Sequence, residues 1–423
     1  MILILAAAAP ASGADLELGP MLGHVGPGEA RIWAKADGPA ALSVRIGEKP
    51  DLSDAREVAG PALEPGSACM GTVVVPGLRP STRYHYALRL DGKDAAAGPY
   101  PSFVTAPPDG AKTKFRFAFV SCLGQKGEEA APGWEGLAAG PPVDLILMLG
   151  DNHYADTTAP AGQRAAYASH RDVAAFRRLA ATTPVYGIWD DHDFGPNNGD
   201  GTAAGKERSL ATFREHWANP AYGSDGAPGI WFAFARGDAG FWMLDGRYHR
   251  TPNGAPDDGT KTMLGPVQKA WLKRTLAASA AALKFVACGS EWQEQGTDDG
   301  WTSFDRERRE IWGHLADRKV GGLLFLSGDR HFVAGYRIFD RWLEITSGPL
   351  GSRNALARIP PTAFLHENEG KMWCVYEADT TGPAPTATLE VWRAGAGLLH
   401  RRTFTADEIE GREAVTPLNG RPK

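Results

Sequence analysis

Cysteine is scarce in this sequence: 423 residues contain four cysteines, at positions 69, 122, 288 and 374. No two of them form a CxxC pair, and so few over this length do not make a disulfide framework. Cys122 directly follows a strand-like apolar run. Two interpretations of its thiol stay open: a thiolate metal ligand, or a small buried apolar side chain.

The chain also lacks a strong charge of either sign and any long apolar run. Its formal net charge is −5, and 22% of its residues are charged. This mild acidity argues against a nucleic-acid or membrane-surface partner bound mainly through charge. No apolar stretch approaches the roughly 20 residues of a transmembrane helix. What remains is an ordinary globular composition, at a length for which two domains are the natural expectation.

The first residues, MILILAAAAPASGA, combine a short apolar core with small residues that suit signal-peptidase cleavage after Ala11 or Ala14. The positively charged segment that usually precedes such a core is missing. We expect residues 1–14 to be a possible signal peptide and the protein to be exported to the periplasm or the extracellular space. A buried first strand is the alternative.

Periodicity divides the rest of the chain in two. Residues 15–106 alternate apolar and polar side chains between Gly/Pro turns, which predicts a small all-β domain similar to fibronectin type III or immunoglobulin sandwiches. Residues 112–423 alternate strand-like with helical patterns, which predicts a layered α/β domain. Its helices are expected at 171–181, 206–217, 265–282 and 305–319, and edge strands within 386–404.

Acidic residues crowd the stretch at 184–198, PVYGIWDDHDFGPNN. An apolar run ends there in Asp190, Asp191, His192 and Asp193. Carboxylates this close repel one another unless a cation neutralises them, which favours a metal site. An acidic turn that caps its own backbone is the alternative.

The same pattern recurs at four other apolar runs, each of which stops at polar or metal-competent residues. Because ligands bind beyond the carboxyl ends of strands in layered α/β sheets, we expect these endings to converge on one site. The endings are Ser121-Cys122, Gly150 to Tyr154, Cys288 to Glu291, and Ser327 to His331.

Together these motifs resemble the alkaline phosphatase D (PhoD-like) family, relatives of the calcineurin-like metallophosphoesterases. The resemblance covers roughly residues 15–380. It implies a layered β-sandwich flanked by helices, preceded by the small β domain, and hydrolysis of small phosphate esters by a metal-bound hydroxide. The motifs are SC at 121–122, GDxxY at 150–154, WDDHD followed by NN at 189–198, LDxRYxR at 244–250 and GDRHF at 328–332.

The resemblance implies an Fe³⁺ site and a Ca²⁺ site. Asp151 matches the carboxylate that bridges two metals, and the Cys122 thiolate with the Tyr154 phenolate favours Fe³⁺. Asp191 is assigned to the second metal. Replacement of the relatives' imidazole by carboxylate favours Ca²⁺ there.

Three further residues complete the implied ligand set. Asp329 and His331 match one ligand to each metal, and Asn197 adds a carbonyl oxygen. Glu291 is a weaker ligand candidate.

Four residues have expected roles other than metal binding. His192 is expected to be a general acid or a donor to a phosphate oxygen. Arg247 matches the family's arginine and is expected to bind phosphate bidentately, with a structural Asp245–Arg247 pair as the alternative. Asp190 and Asp193 are expected to orient their neighbours. Asp156, His153 and His170 are expected to be peripheral or surface residues.

Two other functions stay open at this stage. The same site can prefer diesters, including phospholipid headgroups, in a phosphodiesterase or phospholipase D-like activity. Alternatively, the chain is a non-catalytic binding protein with a vestigial metal site. The sequence does not give the oligomeric state.

Overall fold

The computed structural model describes residues 13–224, 226–293, 298–355 and 363–415. Residues 1–12 of the possible signal peptide therefore lie outside the described residues. Among the helices in the described ranges, none has both the length and the apolar character needed to cross a membrane.

The predicted all-β N-terminal region is confirmed. Antiparallel strands form one sheet in the order β1-β2-β5 and a second in the order β4-β3-β6-β7, in which β8 also pairs with β6. Inward-facing side chains of both sheets share one apolar core. The strands are β1 (Leu16–Val25), β2 (Glu29–Ala36), β3 (Ala40–Gly47), β4 (Arg56–Leu63), β5 (Met70–Pro76), β6 (Arg83–Leu90), β7 (Lys93–Asp94) and β8 (Ser102–Val104).

The remainder of the chain alternates strands with helices, as predicted. In chain order its elements are β9 (Lys114–Val120), α1 (Gly127–Ala139), β10 (Leu145–Leu149), α2 (Pro160–Arg171), α3 (Ala174–Ala180), β11 (Val185–Ile188), α4 (Asp191–Phe194), α5 (Lys206–His216), β12 (Phe232–Arg236), β13 (Ala239–Met243), α6 (Gly265–Ala278), β14 (Leu283–Ala287), α7 (Asp305–Asp317), β15 (Leu323–Ser327), β16 (Val333–Ile338), β17 (Trp342–Thr346), β18 (Ala363–Glu367), β19 (Met372–Asp379), β20 (Thr386–Arg393), β21 (Gly397–Phe404) and α8 (Ala406–Ile409).

Two sheets form the centre of this part. One has the strand order β11-β10-β9-β19-β20-β21 and the other β12-β13-β14-β15-β17-β16-β18. Their apolar faces meet: the rings of Phe117 on β9 and Phe285 on β14 lie 4.7 Å apart between centroids. A layered β-sandwich with accompanying helices is therefore confirmed. The strands β9, β10 and β11 run parallel, as do β13, β14 and β15, so each set ends on one side.

The helix predictions were correct at three of four places. Helices α5, α6 and α7 begin where the apolar periodicity begins and end one to four residues earlier than expected. The helix expected at 171–181 is confirmed only in part, because α3 covers Ala174–Ala180 whereas Arg171 ends the preceding helix α2. The sequence did not predict α2, because its buried face is mostly polar and consists of Gln163, Tyr167, His170 and Arg171.

The N-terminal sandwich packs directly on the rest of the chain. Met21, Trp33 and Met70 belong to the same apolar cluster as β9 and β10. The guanidinium of Arg171 lies 4.6 Å from the ring centroid of Trp33 and 5.0 Å from that of Trp217, joining the two parts by cation–π contacts. We propose that residues 15–106 and 112–423 are two domains with this shared interface.

Candidate metal centre

Potential metal ligands gather where the parallel strands end. Within each of three groups, the candidate ligand atoms all lie within 4.8 Å of one another. The groups are Cys122 with Asp151 and His331, Asp151 with Asp191 and His192, and Asp190 with Asp191 and Asp329. Asp151 is shared by the first two groups and Asp191 by the last two, so the three form one continuous cluster.

The backbone at these strand ends is strained. Cys122, Asp151, Asp329 and His331 have φ values of 58°, 52°, 66° and 56°, a region that L-residues other than Asn and Asp rarely adopt. Such conformations concentrate at functional sites, where surrounding structure enforces them. A Cβ added to Gly150 would lie 2.6 Å from the backbone nitrogen of Asp190, so glycine permits the close approach of two ligand-bearing loops.

Three different donor groups, a thiol, a phenol and an imidazole, converge around Asp151. Tyr154 donates its hydroxyl hydrogen bond to Asp151 Oδ2 at 3.0 Å, and its oxygen lies 2.9 Å from His331 Nε2. The Cys122 Sγ lies 3.5 Å from the same Oδ2 atom. His331 Nδ1 is 2.8 Å from the backbone oxygen of Arg353, to which it donates, so Nε2 keeps its lone pair for a metal.

Burial and mutual repulsion disfavour the anionic forms of the groups in this cluster. Burial raises the pKa of Asp151 and Asp329 well above the usual range, and neighbouring carboxylates raise it further. Burial also raises the pKa of the Cys122 thiol to about 12. Nearby cations would reverse these shifts by stabilising the anionic forms.

Several carboxylate oxygens of the cluster accept no hydrogen bond from the described part of the chain. Among the described residues, no hydrogen bond reaches Asp151 Oδ1, Asp190 Oδ2 or Asp191 Oδ1, although all three atoms are buried. A buried carboxylate oxygen left unpaired carries the full cost of desolvation. Metal ions would satisfy these oxygens, so the residues present fit a metal centre.

His192 lies beside the cluster in a fixed orientation. Its Nδ1 is 2.6 Å from Asp156 Oδ1, and its ring packs on Tyr154 with 3.9 Å between centroids. Asp156 is exposed and in none of the ligand groups, as expected of a peripheral residue, whereas His153 and His170 are buried, so the surface expectation was wrong for these two. Asp156 lies on the same loop as Asp151, five residues later. The sequence did not reveal its contact with His192, because that histidine lies 36 residues away in the chain.

Arg247 does not have the position expected of a phosphate-binding residue. Its guanidinium is fully buried, and it donates to Asp190 Oδ1 at 2.6 Å and to both carboxylate oxygens of Asp299 at 3.1 and 2.5 Å. Asp245, the partner in the alternative reading, instead accepts from the backbone N–H of Arg247. Because buried carboxylates already occupy the guanidinium, the expected bidentate phosphate contact does not fit this geometry.

The two other aspartates of the WDDHD motif, Asp190 and Asp193, have different contacts. Asp193 accepts hydrogen bonds from the backbone N–H of Asp190 at 2.7 Å and from the backbone N–H of Asn152 at 3.2 Å, contacts that suit the orienting role expected of it. Asp190 pairs with Arg247 and also belongs to the ligand cluster. Sequence reasoning undervalued Asp190, because its neighbours in the fold come from distant segments.

The remaining ligand candidates lie at the edges. Asn197 is exposed in the turn after α4, next to Asn198, whose backbone N–H donates to Asp191 Oδ2 at 2.7 Å. Glu291 is buried, and its Oε1 lies 3.2 Å from Arg330 Nε. Glu291 is in none of the ligand groups found among the described residues.

This fold and cluster define a metallophosphoesterase, a metal-dependent hydrolase of phosphoric esters. The chain belongs to the PhoD-like phosphatase family, whose sequence model matches residues 117–372. A second family model, a domain of unknown function (DUF7800), matches residues 13–107. Membership of an enzyme family favours catalysis over the non-catalytic binding protein.

Solved structures share the fold. A structure of PhoD matches with a TM-score of 0.74 and 17% sequence identity, over 94% of each chain. A purple acid phosphatase from yellow lupin (Lupinus luteus) seeds matches with a TM-score of 0.68 and 15% identity, over 91% of this chain and 74% of that one. Comparison with curated proteins finds no match.

Proposed function

We propose that this chain is an exported hydrolase of small phosphate esters whose cluster binds Fe³⁺ and Ca²⁺. The observation that carries the proposal is the position of Asp151, which belongs at once to a group with Cys122 and His331 and to a group with Asp191 and His192. A carboxylate shared between two ligand groups is what a pair of bridged metal ions needs.

The Fe³⁺ ligands in this proposal are Cys122, Asp151, Tyr154 and His331. Their sulfur, oxygen and nitrogen atoms converge within hydrogen-bond distance of one another. A thiolate and a phenolate are strong anionic donors, and deprotonation of both requires a highly charged ion because burial raises the pKa of each group.

The Ca²⁺ ligands in this proposal are Asp151, which is shared with iron, together with Asp191 and Asp329, and Asn197 as an additional oxygen donor. Asp190 belongs to the same group as Asp191 and Asp329, and an all-oxygen set favours a hard divalent cation. Burial would raise the pKa of Asp191, but Arg247 and His192 lower it below its usual range. Asp191 is thus the carboxylate best prepared to bind a cation.

When bound, the metals supply an activated nucleophile and neutralise charge on the phosphoryl group. The protein contributes proton transfer and orientation. Asp156 occupies Nδ1 of His192, so Nε2 is the nitrogen left to hold a proton for the departing ester oxygen. Arg247 does not contact the substrate in this proposal. It orients two carboxylates of the cluster, because it pairs with Asp190 and lies 3.9 Å from Asp191.

Export is part of the proposal and is supported by the apolar start of the sequence, residues 1–14. Ca²⁺ suits a periplasmic or extracellular enzyme. The ion is plentiful outside the cytoplasm, so even the weak calcium sites of extracellular modules are filled there. The preferred substrate class is the monoester. A phosphodiesterase or phospholipase D-like activity is the alternative that a substrate panel decides.

Metal content and turnover test the proposal together. The purified protein is expected to contain iron and calcium and to hydrolyse p-nitrophenyl phosphate, with bis(p-nitrophenyl) phosphate as the diester comparison. Asp151→Asn is expected to lose both metals and most activity, because a neutral amide bridges two cations poorly. Asp37→Asn, an exposed change in the N-terminal sandwich, is the matched control. Full activity of a metal-free protein would contradict the proposal.

A further inference from the structure

Arg330 lies between the ligand candidates Asp329 and His331 on the loop that joins β15 to β16. Its side chain is 21% exposed, unlike the fully buried Arg247. Its Nη1 atom is 4.0 Å from Asp329 Oδ2. Sequence reasoning gave this arginine no role, although it lies inside the GDRHF motif.

The guanidinium of Arg330 contacts Glu291 and Phe332 through Nε and its planar face, not through its two terminal nitrogens. Its Nε forms an ion pair with Oε1 of the buried Glu291 at 3.2 Å, without hydrogen-bond geometry, and its Cζ lies 5.7 Å from the ring centroid of Phe332. Gln293 in turn donates to Glu291 Oε1 at 2.9 Å, which fixes the carboxylate. These contacts orient the group from behind.

The two terminal nitrogens of Arg330 remain available. Among the described residues, neither Nη1 nor Nη2 donates a hydrogen bond, and the contact with Asp329 is a longer ion pair. Other arginines near the cluster are committed elsewhere: Arg247 and Arg250 both donate to Asp299. A guanidinium offers two parallel N–H donors that match the geometry of phosphate oxygens.

We propose that Arg330 binds the oxygens of the phosphoryl group that is hydrolysed, in the role that the sequence had assigned to Arg247. This inference rests on the proposed function. The Nη1 atom of Arg330 lies 4.0 Å from Oδ2 of the proposed metal ligand Asp329, so the guanidinium is within reach of a phosphoryl group bound at that metal. Arg330 is thus a catalytic residue, and Glu291 is a positioning residue that acts through it.

The charge of Arg330 also favours one substrate class. A phosphate monoester is a dianion above pH 7, whereas a diester carries one negative charge and an additional organic group on phosphorus. A positive charge aimed at the free oxygens therefore stabilises the monoester more. Arg330 selects monoesters over diesters.

Arg330→Ala tests the inference in the holoenzyme. The value of kcat/KM for p-nitrophenyl phosphate is expected to fall by roughly tenfold to a hundredfold, as for loss of hydrogen bonds to a charged group. The value for bis(p-nitrophenyl) phosphate is expected to fall clearly less. The inhibition constant of inorganic phosphate is expected to rise by a factor similar to the loss on the monoester, while iron and calcium contents stay those of the wild type.

Three further variants sharpen the test. Arg330→Lys is expected to fall between the wild type and Arg330→Ala, because it keeps the charge without the paired donors. Glu291→Gln is expected to weaken phosphate inhibition less than Arg330→Ala does. Arg45→Ala removes a partly exposed arginine that pairs with Asp94 in the N-terminal sandwich, so it is expected to leave all these constants unchanged.

Different results overturn different claims. An active wild type whose Arg330→Ala variant keeps its phosphate inhibition constant overturns the inference alone. Loss of calcium from Arg330→Ala also overturns it, because the arginine would then support Asp329 and not the substrate. A metal-loaded wild type that hydrolyses neither ester overturns the proposed function itself.

Discussion

Asp156 accepts a hydrogen bond from Nδ1 of His192 over 2.6 Å, between the loop after β10 and the short helix α4. The pair fixes the imidazole against the ring of Tyr154. A carboxylate in this position sets which nitrogen of the histidine carries its proton and which one meets the substrate.

Asp156→Asn is predicted to lower kcat for p-nitrophenyl phosphate by roughly tenfold, with little change in KM, because such supporting partners typically contribute 10- to 100-fold. Iron and calcium contents should stay constant. Steady-state kinetics with metal analysis measures both. Asp172→Asn, which changes a more exposed aspartate paired with Arg177, is the control. Wild-type kcat in Asp156→Asn would show that His192 needs no such partner.

Asp299 is predicted to stabilise the fold above pH 4. Burial would raise the pKa of this carboxyl, but Arg247 and Arg250 lower it to about 2. Since its unfolded value is about 3.9, the stabilisation is complete above that pH and is lost as the pH falls towards 2. Asp299→Asn is expected to cost about 3–5 kcal/mol at pH 7, because buried guanidinium charge remains.

Urea denaturation at pH 7, 5 and 3.5 measures this effect. The free energy of unfolding should fall more steeply with acid in the wild type than in Asp299→Asn. Asp298→Asn changes the exposed neighbouring carboxyl and should resemble the wild type. Equal stability of both variants at pH 7 would rule out the proposed role of the Arg247–Asp299 pair.

Trp33 is predicted to be essential for stability but not for chemistry. Its ring is 1% exposed and lies under Arg171 at the interface between the N-terminal sandwich and the α/β part. Trp33→Ala is expected to cost about 3–5 kcal/mol. Activity per bound iron should not change. Leu398→Ala, at a strongly exposed apolar side chain, is the control for loss of apolar area.

The shared interface also bears on truncation. A fragment that starts at residue 112 would expose the apolar residues that Met21, Trp33 and Met70 cover, so we expect it to be unstable or aggregated. A folded, metal-loaded but inactive fragment would place a catalytic residue in the sandwich.

The strands and the ligand cluster were largely accessible from the sequence. Apolar runs that end in Cys122, Asp151, Asp191 and Asp329 are local patterns, and parallel pairing of β9, β10 and β11 brings the first three endings together. Asp329 follows β15 of the other sheet and joins them only because the two sheets pack face to face. The α5 helix likewise follows from its own residues.

Other features depend on long-range contacts that no local pattern contains. Arg247 was matched by motif, but its partner Asp299 comes from a loop 52 residues later. The Asp156–His192 pair joins two loops across 36 residues. Helix α1 escaped detection because Pro132 lies inside it, where proline normally argues against a helix.

Calcium is predicted to be removable without loss of iron. EGTA should abolish activity reversibly, since only carboxylate and carbonyl oxygens hold the proposed Ca²⁺. Asp329→Ala should reproduce the calcium-free state, measured as activity and as both metal contents. Full turnover in excess EGTA, or rescue by Zn²⁺ in preference to Ca²⁺, would assign the centre to transition metals alone.

The most direct test of the Fe³⁺ centre is the iron content and visible absorption of wild type, Cys122→Ser and Cys69→Ser. Cys69 is a thiol of the N-terminal sandwich, so its variant controls for cysteine loss alone. We predict an iron-dependent charge-transfer band in the wild type and in Cys69→Ser, and a bleached or shifted band in Cys122→Ser. An unchanged spectrum and iron content in Cys122→Ser would contradict the assignment.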